Sequence, residues 1–127
     1  MTNEPTPWNM YKQDRVNAIE ERGYTVRDND PRDNWVQVGR FGPEQANSYL
    51  SASVQFFQEP SHYGINDGRI SRMDIRRYHR PTCRELFDRV KSRGTAVFAY
   101  DRGDDIDRLS LDKQAEKFYK DLIDLLN

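Results

Sequence analysis

Tyr49-Leu50-Ser51-Ala52-Ser53-Val54-Gln55-Phe56-Phe57 is the stretch whose reading decides the fold. Leu50, Ala52, Val54 and Phe56 alternate with Ser51, Ser53 and Gln55, the period-two pattern of a strand with one face buried and one wet. Arg69–Tyr78 repeats the pattern, with Met73 and Ile75 on one face and Arg72, Asp74 and Arg76 on the other. The pair predicts two antiparallel strands joined by a long, glycine-bearing loop, Glu59–Gly68.

Working outward, Trp35–Phe41 reads as a short strand ending at Gly42-Pro43, and the β-branched and aromatic Thr95–Tyr100 as another. Thr82-Cys83-Arg84-Glu85 matches a capping box, opening a helix that carries Cys83, Leu86, Phe87 and Val90 on one side and stops at Gly94. From Ser110 onward Leu111, Ala115, Phe118, Leu122 and Leu126 run down one helical face, widened by Tyr119, Ile123 and Leu125. Thr6 and Pro7 read as the cap and first position of a helix over Trp8–Arg22 that Gly23 stops, and residues 28–34 as a turn-rich linker. The expected class is α+β. One antiparallel sheet of about four strands is polar on one side and packed by the last two helices on the other, with an extra N-terminal helix. Residues 1–127 make a single domain, with the N-terminal helix and linker in 1–34 and the α+β core in 35–127.

The chain has 127 residues, 35 % of them apolar, 32 % charged and 12 % aromatic, which describes a folded but polar domain. Net charge is −1, so neither duplex nucleic acid nor a membrane surface is expected as a partner. The balance is uneven: residues 67–93 hold nine Lys/Arg against four Asp/Glu, while both flanks are acidic. Cys83 is the only cysteine, which leaves no internal disulfide and no thiolate metal cage. The start has neither the basic nor the apolar region of a signal peptide, and no apolar run is of membrane-spanning length. A reducing cytoplasm is the expected compartment.

His62 and His79 are the only histidines, and they form no zinc-ligand spacing with cysteine or carboxylate. Cys83 falls on the apolar side of its helix and reads as a core residue rather than a nucleophile. Asp101-Arg102-Gly103-Asp104-Asp105-Ile106-Asp107 is acidic but lacks the terminal glutamate and ligand spacing of a calcium loop, so it reads as a solvated turn. No metal or cofactor and no catalytic residue is expected. The loop and the strand that follows it hold the ligand candidates. Gly64 and Gly68 let a ligand approach backbone N–H groups, with Asn66 turning the chain. Arg69 and Arg72 offer forked donors to phosphate, Ser71 lies between them, and His62 and Tyr63 can stack on a base. Tyr100 and Arg102 assist from the later turn. The plainer alternative is a hairpin connection with arginines that solvate one sheet face; the loop is longer than a hairpin needs.

Glu59-Pro-Ser-His-Tyr-Gly-Ile-Asn-Asp-Gly-Arg-Ile-Ser-Arg-Met-Asp-Ile75 and Tyr100-Asp-Arg-Gly-Asp-Asp-Ile106 resemble the motifs of a small uncharacterised domain family of phages and Firmicutes. Members carry E-P-S-x-[YF]-G-I-x-x-G-R-I-S-K-L, followed later by Y-D-R-G-W-D. Arg72 and Met73 replace the Lys-Leu, and Asp104 stands where the pattern has Trp, which removes a stacking role there. The resemblance spans roughly residues 35–125. It implies a setting in which small phage proteins antagonise bacterial defence, by sequestering nucleotide signals or by covering a host protein.

The expected function is therefore non-catalytic binding of a small phosphate-bearing ligand such as a cyclic nucleotide, by a homo-oligomer. The alternative is an inhibitor that binds a host defence protein directly. A phosphodiesterase acting through His62 or His79 ranks third.

Overall fold

The computed structural model of the chain describes residues 7–40, 48–79, 94–101 and 104–127. Helix α1 spans Trp8–Glu21 and helix α2 Lys113–Leu126. Between them lie β1 (Thr25–Arg27), β2 (Trp35–Arg40), β3 (Ser48–Phe56), β4 (Ile70–His79), β5 (Thr95–Asp101) and β6 (Asp104–Asp107). The six strands form one open antiparallel sheet in sequential order, each hydrogen-bonded to its chain neighbour. The class is α+β as expected, with six strands in place of about four. The capping-box helix expected from Thr82, with Cys83, lies outside the described residues. Among the described residues, α1 and α2 cover the sheet.

Alternation sets the layers. Val36 and Val38 of β2, Leu50, Ala52, Val54 and Phe56 of β3, and Met73 and Ile75 of β4 all point to one side and are buried. Pairing holds them in register, Val38 beside Ala52 beside Ile75. Two irregularities add to this core. The β3–β4 register shifts after Gln55 so that Phe56 faces Ile70, and the surplus residue Ser71 is buried together with Ile70. The β4–β5 register shifts after Ile75, and Val97 and Phe98 are buried in succession. A bulge places two residues opposite one and so re-aims side chains that strict alternation would separate.

Helix α2 contributes Ala115, Phe118, Leu122, Leu125 and Leu126, and α1 contributes Val16 and Ile19. Leu111, which its spacing puts on the α2 stripe, is 84 % exposed instead. The helix begins two residues later because Asp112 takes the cap position and accepts a hydrogen bond from the Ala115 N–H at 3.1 Å. Arg77 of β4 grips the same carboxylate, Nε to Oδ2 at 2.7 Å and Nη2 to Oδ1 at 2.9 Å. Those bonds, followed by the cap, hold the Asp112 carboxyl below the ordinary carboxylate range.

Helix α1 is moored by Lys12, whose side chain is fully buried. Its ammonium donates to Asp28 Oδ1 at 2.8 Å, the Asp30 carbonyl at 2.9 Å and Asp33 Oδ1 at 3.0 Å. The Trp35 N–H and then Lys12 hold the Asp33 carboxyl below its usual range. Trp8 and Tyr11 pack on Phe56 at ring separations of 5.3 and 6.4 Å. Arg22 pairs with Asp121 and Asp124, and the Tyr24 hydroxyl donates to Asp121, which joins the α1 end to α2.

Two measurements test these anchors. Lys12→Met keeps side-chain length but leaves Asp28, 15 % exposed, without its ammonium. The expected cost is about 3 kcal/mol in urea unfolding, the low end for breaking a buried pair because Asp33 stays half exposed. A cost under about 1 kcal/mol would show that α1 docks by apolar contact alone. Asp112 titrates at a lower pH folded than unfolded, so its contribution is complete above the unfolded value of 3.8 and is lost as pH falls below it. Asp112→Asn keeps a capping oxygen, and its melting temperature should lie below wild type at pH 6 and converge on it toward pH 2.

Candidate functional site

Both helices lie on one side of the sheet, and among the described residues no helix covers the other, the open face. Register sets its rows. Trp35, Gln55, Arg72 and Asp101 lie in one line across β2 to β5, and Arg27, Gln37, Ser53, Asp74, Ala99 and Ile106 in the next across β1 to β6. Trp35 is 37 % and Ile106 49 % exposed on this face. A depression of about 410 Å³ lies between them, lined also by Arg72, Asp74, Ala99 and Asp101.

Arg72 is singular here. Its Nε lies 2.9 Å from Asp101 Oδ1, an ion pair by distance, but its N–H is not directed at that oxygen and the atom is buried without a hydrogen bond. The angle decides the matter, so the contact is charge attraction rather than a bond. Its strand neighbour Gln55 likewise keeps a buried Oε1 with no partner. Asp74, by contrast, is paired with Arg76 through contacts of 3.0 and 3.3 Å.

The glycine-bearing loop makes a second depression, about 340 Å³, lined by Phe57, Glu59, Ser61, Tyr63, Gly64, Gly68, Arg69 and Ser71. Asn66 and Asp67 hold left-handed conformations at φ 52° and 57°, which these residue types tolerate. A side chain at Gly64 would strike the Gly68 carbonyl, and one at Gly68 would strike the Asn127 amide. That amide ties the loop together: Asn127 Nδ2 donates to the Ile65 carbonyl at 2.9 Å, and Oδ1 accepts from the Ile70 N–H at 3.0 Å. Arg69 completes the tie, donating from Nε to the Gln58 carbonyl and from Nη1 to the Asn127 carbonyl, at 2.9 and 3.3 Å.

The residues expected to bind ligand thus fall into two groups. Tyr63, Gly64, Gly68, Arg69 and Ser71 share the loop depression, while Arg72 and Tyr100 line the open-face depression. Tyr100 also bridges the two, its hydroxyl donating to the Tyr63 carbonyl at 3.0 Å. His62 points to solvent, its side chain 98 % exposed and 3.7 Å from Asp67, and Asn66 is exposed. Arg102 lies outside the described residues. Trp35, Gln55, Ala99 and Ile106 were not anticipated. The available signal was Trp35 itself: alternation that buries Val36 and Val38 must turn the indole outward.

An antiparallel meander with helices on one face and a polar, aromatic-bearing face left open defines a class of architecture. Within it, the chain belongs to a family of domains of unknown function (DUF7678), whose model matches residues 37–127. This agrees with the resemblance at the level of an uncharacterised domain family. The match leaves out α1 and β1. Neither the curated proteins nor the solved structures gave a match. Among the described residues no helix is long and apolar enough to cross a membrane.

Gly68→Ala is expected to lower stability by about 2 kcal/mol, since the new methyl displaces the Asn127 amide from two backbone groups. Asn127→Ala alone should cost a similar amount. The double substitution should cost less than the two single costs added together, because the methyl then has room. Strict additivity in urea denaturation would show that the amide does not fill this space.

Proposed function

We propose that the protein is a non-catalytic binding module for a small phosphate-bearing ligand of nucleotide type, gripped on the open face by Arg72 beside Trp35. The observation that supports this most directly is Arg72 itself, a forked donor with no hydrogen bond among the described residues in an open, aromatic-walled depression. Its counter-ion Asp101 is 63 % exposed, and a pair so wet contributes only about 0–1 kcal/mol. A charge-assisted bond to phosphate contributes about 1.5–3 kcal/mol, enough to displace it. Stacking on the Trp35 indole adds about 1–3 kcal/mol for a base. Among the described residues, no histidine, cysteine or serine lines this depression, which favours holding over chemistry. Arg69 is less suited to the anion, because two of its donors already hold the loop. The family resemblance to small phage proteins fits sequestration of a nucleotide signal, and a homo-oligomer would enclose such a ligand between two open faces.

A protein partner is the second reading, favoured by the exposure of Trp35 and Ile106 on one face. A thermal-shift series with cyclic mono- and dinucleotides separates the two, since a ligand of the folded state must raise the melt. Arg72→Ala should weaken binding roughly ten- to hundred-fold at unchanged melting temperature, with Arg72→Lys recovering part of the loss. Arg69→Ala should instead lower the melting temperature and leave affinity close to wild type. No shift with any nucleotide at large excess would sink this reading in favour of the protein partner. Loss of binding in Arg69→Ala alone would move the site to the loop.

A further inference from the structure

The open-face depression has a neighbour. A second hollow of about 400 Å³ adjoins it, lined by Arg27, Asn29, Gln37 and Ser53, and Trp35 and Asp74 wall both. The exposed Arg27 of β1 has no hydrogen bond or ion pair among the described residues. Its strand lies three strand spacings from that of Arg72, roughly 14 Å at the backbone. Trp35 rises from β2 between them. Two guanidinium groups without hydrogen bonds therefore flank one exposed indole across a shared trough. Each hollow alone sits near the small end of the roughly 300–1,000 Å³ of small-molecule sites, and joined they reach its middle.

We infer that the trough is built for a ligand of dinucleotide class, linear or cyclic, with one phosphate at Arg72, a second at Arg27 and a base stacked on Trp35. The inference rests on the Arg72 reading above and adds the second anion contact. Gln55 extends it to the base. Gln55 pairs across the strands with both Trp35 and Arg72, and its Oε1 is a buried acceptor without a donor. With Arg72 turned to a phosphate, an amino or ring N–H of the stacked base is the donor that would satisfy this oxygen. The charge pattern also limits ligand length. Asp33, in one hollow, is already held by Lys12, but Asp101, in the other, loses its partner when Arg72 turns to a phosphate, so a polyanion continuing past Arg72 meets a carboxylate. Asp74, in the middle, is already neutralised by Arg76.

Titration calorimetry on the intact chain tests this with a nucleoside monophosphate, a 5′-phosphorylated linear dinucleotide, a cyclic dinucleotide and a ten-residue single strand. The two-phosphate ligands should bind at least about tenfold tighter than the monophosphate, the equivalent of one further charged contact. Arg27→Ala should remove that advantage and leave monophosphate binding unchanged, whereas Arg72→Ala should weaken all. The ten-residue strand should gain nothing over the dinucleotide. Equal affinity for one and two phosphates, or an Arg27→Ala protein that binds all ligands like wild type, would overturn the inference while sparing the Arg72 site. Affinity rising steadily with strand length would replace it with a single-strand platform. Failure of every ligand would bring down both readings, and the linear and cyclic arms distinguish which dinucleotide is preferred.

Discussion

A pleated strand sends its side chains alternately to opposite faces, and here that constraint governs everything else. Leu50, Ala52, Val54 and Phe56 commit one face of β3 to the interior, and hydrogen-bonded register extends the commitment from Val36 and Val38 to Met73 and Ile75. Both helices lie on that side, where the continuous apolar surface is. Among the described residues the opposite face carries no helix, and its row of Trp35, Gln55 and Arg72 is held in fixed spacing by backbone pairing rather than by loops. A site on such a face is rigid at the backbone and adjustable only through its side chains.

The ammonium of Lys12 shows how much of the fold lies outside the family-matched segment. Residues 37–127 carry the sheet from within β2 onward, yet Val16 and Ile19 of α1 are core residues and Trp8 and Tyr11 cover Phe56. Lys12 ties that helix to the Asp28–Asp33 turn, the same turn that leads into Trp35. Asp33 in turn accepts the Trp35 N–H at 2.9 Å. The buried ion pair thus reaches the start of the strand that presents the exposed indole, linking helix docking to the geometry of the open face.

The parts of the fold that were legible in the sequence are those written in local periodicity. β3, β4 and α2 repeat their apolar residues at the right intervals and stand where the spacing puts them. β1 and β6 were not legible: three residues in one case, and three aspartates among four in the other, carry no strand signal. Pairing with a neighbour overrides their propensity. The candidate site divides the same way. Arg69 and Arg72 look equivalent along the chain, but Arg69 is engaged by the carbonyl of Asn127, far away in sequence, and no pattern near it announces that contact. The bulge at Ser71 is a similar case, set by register with a distant strand, whereas the cap that strands Leu111 in solvent is a local bond that the apolar stripe overrides in reading.

The sheet does not close on itself, so among the described residues β1 and β6 form its two outer edges. On β1 that edge is three residues long and ends in Arg27; on β6 it reads Asp-Asp-Ile-Asp. Short length and repeated like charge are the features that keep an edge from recruiting further strands. Association of copies through these borders is thereby disfavoured, which leaves the face of the ribbon rather than its edges as the surface for contact.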